Sequence, residues 1–119
     1  MPQRDPGVYL EDIEYYAAAA VRFISSYSLE QYLADEKTRA AVERVLEICG
    51  EAMNSLHKVA ARVADNIPHS RDIIGFRNIL AHGYAELDHN KVYDIATKHV
   101  PALLSPVKQA LKSFPDPSA

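Results

Sequence analysis

Apolar residues recur every three or four positions along most of the chain. Leu10, Ile13, Ala17, Ala20, Ile24 and Tyr27 fall on one stripe, which predicts an amphipathic helix opening near Pro6 and Gly7. Ser28, followed three residues later by Gln31, has the pattern of a capping box and predicts a short second helix to about Ala34. After Asp35 a longer stripe runs through Val42, Leu46, Cys49, Met53, Leu56, Ala60 and Val63. It predicts one helix of about thirty residues ended by Pro68, because the residue before a proline is pushed out of the helical region. Ser70 is placed to cap a helix carrying Ile73, Ile74, Phe76 and Leu80, with Gly83 as its stop. Asp88 is placed to cap a last helical region containing Val92, Ile95 and Ala96. Pro101 should break or kink that region before Leu103, Leu104, Val107 and Leu111.

No stretch alternates with the period of a strand, and no repeat is visible. The expectation is therefore all-α: one domain over residues 1–119, built as a bundle of four or five helices, with a frayed tail over 115–119. A chain of 119 residues supports about one modest core. The longest apolar run, Tyr15 to Val21, is seven residues, far short of the roughly twenty a membrane span needs. A polar N-terminus and a single cysteine, Cys49, fit a protein of the reducing cytoplasm with no membrane association. Cys49 lies on the core stripe and reads as a small buried hydrophobe.

The net charge of −3 excludes a broad basic face for nucleic acid. The charge is unevenly spread, however. Residues 1–36 carry two basic and seven acidic side chains, whereas 57–82 carry Lys58, Arg62, Arg71 and Arg77 against Asp65 and Asp72. Three of the five histidines, His57, His69 and His82, share that second region. No two histidines stand three or four apart, there is no His-Glu-x-x-His, and there is one cysteine, so no zinc or other metal site is expected. The glycines form neither a phosphate loop nor a dinucleotide fingerprint, so no cofactor is expected. Metal-free acid–base chemistry, or simple binding, remains.

One segment breaks the apolar pattern: Gly75-Phe76-Arg77-Asn78-Ile79-Leu80-Ala81-His82-Gly83-Tyr84. On a helix, Asn78 and His82 share a face. Arg77 and His82 are separated by about 140° and an axial rise of about 7.5 Å, a gap that a long guanidinium can close at an unwinding helix end. An arginine fork matches phosphate oxygens, and an imidazole can exchange a proton near neutral pH. RNA brings its own nucleophile, the 2′-hydroxyl, so such a pair suffices for a minimal ribonuclease. The competing reading makes Arg77 a surface ion-pair partner and His82 a cation at a helix C-terminus. With seven arginines and five histidines in the chain, the spacing by itself does not decide between them.

The segment Arg77-Asn78-x-x-x-His82-Gly83-Tyr84 resembles the Arg-x4-His-x-Tyr signature of the HepT branch of the HEPN superfamily, the toxin half of HepT/MntA toxin–antitoxin pairs. Tyr9 to Ile13, Leu46 to Ala52, Asp72 to Phe76 and Val92 to Ile95 extend the resemblance over roughly residues 8 to 110, with Cys49 where an aliphatic residue is usual. The resemblance implies a helical bundle that dimerises and sets two motifs around one cleft. It implies a metal-independent RNA endonuclease leaving 2′,3′-cyclic phosphate, with Arg77 and His82 catalytic and Asn78 in support. It also implies a nucleotidyltransferase antitoxin of the MntA kind that transfers AMP to Tyr84. A non-catalytic helper that docks a nucleotidyltransferase or holds a nucleotide is the alternative. The RNA target, tRNA or mRNA, is left open, as is the acid or base role of His82.

Overall fold

Helix α1 (Pro6–Ile24) begins where the Asp5 carboxylate accepts from the Gly7 N–H at 3.2 Å, with Pro6 in the first turn. The computed structural model describes residues 5–82 and 87–114, with only the backbone of His82. The predicted stripe of α1 is buried at Leu10, Ile13, Ala17, Ala20 and Ile24. The helix stops one turn before Tyr27, and Ser26 takes a positive φ of 73°. Tyr27 instead pins the turn. Its hydroxyl donates to Asp35 Oδ2 at 2.9 Å and accepts from Thr38 Oγ1 at 3.1 Å, while its carbonyl accepts from the Tyr93 hydroxyl at 2.7 Å.

Helix α2 (Leu29–Ala34) carries the predicted capping box. The Gln31 N–H donates to Ser28 Oγ, and the Ser28 N–H donates to Gln31 Oε1. Asp35 then caps α3 (Glu36–Val59) by accepting from the Thr38 N–H at 3.0 Å. Those bonds from Thr38 and Tyr27 favour the carboxylate and hold the Asp35 carboxyl below its ordinary range.

The long helix does not reach Pro68. It breaks at Ala60, with φ −152° and ψ 66°, and a short α4 (Ala61–Asp65) follows. No glycine or proline causes the break. It turns Ala64 and Ile67 back onto the core, where both are buried. Local propensity favours a continuous helix here, and tertiary burial overrides it.

Ser70 is not the cap of the next helix, α5 (Ser70–His82), but its first residue, and it is buried. The cap position belongs to His69, whose carbonyl accepts from the Ile73 N–H at 2.9 Å and whose φ is +62°. Asp88 caps α6 (His89–Asp94) as predicted, accepting from Asn90 and Lys91. Pro101 neither ends nor simply kinks the helix. A π-helical turn over Ile95–His99 leads directly into α7 (Val100–Leu111). Pro101 has no N–H to return to Thr97, and a wider turn relieves the ring's clash with that carbonyl. The Thr97 hydroxyl bonds back to the Tyr93 carbonyl at 2.7 Å.

Among the described residues there is no strand, and α1, α3, α5 and the α6–π–α7 rod are the long members. The all-α expectation therefore holds, with α2 and α4 as short connecting helices. α1 packs on α3 and α7, and α5 packs on α3. Their shared core includes Leu10, Ile13, Leu46, Met53, Leu56 and Leu103. No helix among the described residues is long and apolar enough to cross a membrane.

Candidate active site

Helix α5 buries Ile73 and Phe76 and leaves Asn78 and Ile79 exposed. Arg77 lies between these faces, with 29% of its side chain exposed. Its stem crosses α3 at Gly50. A Cβ on Gly50 would stand 2.3 Å from Arg77 Cβ and 3.0 Å from the Ile73 carbonyl oxygen, so no side chain fits there. Glycine in a helix interior costs about 1 kcal/mol relative to alanine. Here it admits α5 to close contact and gives the arginine stem a groove.

The head group is held from two sides. Arg77 Nη1 donates to Asn78 Oδ1 at 2.9 Å, and Nη2 lies 3.7 Å from Glu51 Oε1 on α3. Arg77 Nε is buried and without a hydrogen-bond partner among the described residues. A buried donor left unmatched is costly, and it is the Nη groups, not this closed-off Nε, that an acceptor oxygen could reach. The Glu51 contact is long and partly exposed, a kind of pair worth at most about 1 kcal/mol. A phosphate able to take two parallel N–H donors can compete with it.

His82 is the last residue of α5, on the helix that carries Arg77 and Asn78. Its side chain, Gly83 and Tyr84 lie outside the described residues, as does the 115–119 tail. Beyond the 83–86 segment, α6 begins with His89, whose Nδ1 stands 3.7 Å from Glu43 Oε2 on α3. Burial raises the Glu43 carboxyl above its ordinary range, and the neighbouring His89 and Arg39 partly offset this. The same burial raises the Tyr32 phenol, whose hydroxyl has no hydrogen-bond partner among the described residues.

Sequence reasoning named Arg77 and Asn78 but missed Gly50 and Glu51. The signals were their place in the Leu46 to Ala52 stretch of the resemblance, with no role attached, and a glycine inside a strong helical stripe, which announces a close approach without saying what approaches. His57 Nε2 lies 3.6 Å from Asp65 Oδ1, while His69 stacks on His99 with ring centroids 4.2 Å apart and planes 3° from parallel.

These features define an all-helical bundle that presents a grooved arginine, an amide partner and a terminal histidine from one helix. The family model described as "Ribonuclease HepT-like" matches residues 10–110, and the chain belongs to that family. It is 33% identical over 95 residues to "Probable ribonuclease HepT" of Thermococcus cleftensis, covering 80% of this chain and 86% of that one. Against two Methanocaldococcus jannaschii proteins it is 30% identical to "Putative RNase MJ1380", over 91% of this chain and 98% of that one, and 28% identical to "Putative RNase MJ1216", over 96% and 93%. No solved structure matches the chain.

Proposed function

We propose that this chain is a toxin-type endoribonuclease that cleaves RNA through Arg77 and His82, with Asn78 holding the guanidinium. The observation that carries the reading is Arg77 itself: a stem seated over Gly50, an amide partner at 2.9 Å and Nη groups that an acceptor oxygen could reach, in a chain of the HepT-like ribonuclease family. The guanidinium binds the scissile phosphate and stabilises the charge that builds on its oxygens. His82 takes the proton of the 2′-hydroxyl while water protonates the leaving 5′-oxygen, or it gives its own proton to that oxygen while water takes the one from the 2′-hydroxyl. The 2′-oxygen then attacks phosphorus, the bond to the 5′-oxygen breaks, and a 2′,3′-cyclic phosphate and a 5′-hydroxyl result. No step calls for a metal. A second copy of the chain, bringing its own motif to a shared cleft, doubles the positive charge that one acidic chain can offer.

RNA cleavage by Arg77→Lys and His82→Ala, each assayed with and without EDTA, tests this. Arg77→Lys keeps the stem and the charge but loses the fork, so cleavage should fall by about 100-fold or more while far-UV helicity stays. His82→Ala should lose it as fully. Cleavage by wild type should persist in EDTA. Full activity in either variant removes that residue from the chemistry. A fully folded wild-type chain without cleavage, but still bound to a nucleotidyltransferase, would favour the docking alternative.

A further inference from the structure

We propose that His69, Asp72 and His99 form a binding site for one divalent transition-metal ion of the Zn2+ class, apart from the Arg77 site. One nitrogen of each imidazole and one carboxylate oxygen of Asp72 lie within 4.8 Å of one another. The three come from two elements that the sequence separates by about thirty residues: the start of α5 and the π-helical turn before α7.

Several features of the fold converge on this cluster. His69 holds a positive φ of 62°, a conformation that costs a non-glycine residue about 1–2 kcal/mol and sets the direction of its side chain. The π turn, widened ahead of Pro101, carries His99 to the same place. The rings stack face to face with their in-plane lone pairs parallel, so His69 must turn out of the stack for both imidazoles to reach one ion; His99 Nδ1 is buried without a hydrogen-bond partner among the described residues. His69 Nδ1 stands 3.7 Å from Asp72 Oδ2.

Two of the nearby cations are already paired. Arg71 pairs with Asp65 at 3.3 Å, and Lys98 pairs with Asp94 at 2.6 Å. The ion-pair contact of Asp72 is with the His69 imidazole, and Asp72 lines a cavity that Lys91 and His99 also line. Two neutral imidazoles and a carboxylate are the donor set that zinc and nickel accept, with water completing the shell. Ligand atoms around tetrahedral zinc stand about 3.4 Å apart, given bonds near 2.1 Å. Rotation of His69 and Asp72, whose side chains are 36% and 67% exposed, closes the difference. A bound ion would fasten the first turn of α5 to the α6–π–α7 rod. Arg77 is five residues after Asp72, about 7.5 Å further along α5 and about 140° round it, so the ion would act on the helix rather than on the scissile phosphate.

The test titrates the metal-stripped full chain with Zn2+ against a chromogenic chelator at neutral pH. Thermal unfolding is followed with and without the ion. Wild type should bind one equivalent per chain, and its Tm should rise. His69→Ala/His99→Ala should weaken binding at least about tenfold and lose the Tm rise, while His57→Ala/His89→Ala should keep both. His69→Gln, which keeps a polar side chain on the surface, should give the same tenfold loss and covers a double variant that does not fold. No binding by wild type, or undiminished binding in the folded His69 variants, overturns the site. These readouts do not depend on RNA cleavage, so they stand or fall separately from the ribonuclease reading.

Discussion

Gly50 and Arg77 are residues whose meaning depends on each other. The groove exists because one residue lacks a side chain, and the guanidinium is held because its stem fills that groove. Gly50→Ala should cost about 1–3 kcal/mol of stability in urea unfolding despite alanine's better helix propensity, since the new methyl meets Arg77 Cβ at 2.3 Å. A variant as stable as wild type would contradict the close approach of α5 to α3. Cys49 is a simpler case. It is fully buried, and burial pushes its thiol up to about 12. The native chain should resist iodoacetamide until it is unfolded. An unfolded thiol ionises near 8.5 and the folded one only near 12, so the folded state holds the extra proton between these values. The contribution of Cys49 to stability is therefore intact below about pH 8.5 and lost as pH rises toward 12. Cys49→Ala should flatten that alkaline decline in unfolding curves. Its burial was legible from its place on an apolar stripe, whereas the role of Gly50 was not, because the partner is 27 positions away.

Helix starts were the most legible elements. Ser28 with Gln31, Asp35 and Asp88 each act within three residues of themselves, so local sequence carries the whole interaction. Ser28→Ala should cost about 1 kcal/mol, read as a lower midpoint in thermal or urea unfolding, with no change in the Arg77 site. An unchanged midpoint would mean that α2 contributes little to the folded state. The break at Ala60 and the π turn at Ile95–His99 were not legible. Nothing in the residues around Ala60 disfavours helix, and the chain bends because Ala64 and Ile67 find a core there. Pro101 signalled a disturbance, but a kink, a stop and an extra residue in one turn satisfy its missing N–H equally. Packing selects among them.

For the whole molecule, an acidic chain proposed to hold RNA concentrates its positive charge in one region, and the proposed pairing of two copies would answer that need. The AMPylation switch that the HepT resemblance implies would also work at this scale. AMP on Tyr84 would add bulk and negative charge two residues past the proposed catalytic histidine, which would oppose an RNA backbone. Incubation with a cognate nucleotidyltransferase, ATP and Mg2+ should add AMP units to the wild-type chain, detected by mass. The same treatment should leave Tyr84→Phe unmodified and its cleavage undiminished. An AMP adduct on Tyr84→Phe would move the modification elsewhere.

The sequence by itself determined the helical class, the main buried stripes, most of the helix starts and the segment that bears Arg77, Asn78 and His82, because periodicity, capping and motif spacing are short-range properties. Only the tertiary structure decided that Arg77 lies across Gly50 beside Glu51, that the long helix bends at Ala60, and that His69, Asp72 and His99 meet. Each of these depends on two helices sharing one space, and such contacts form between positions that local pattern cannot relate.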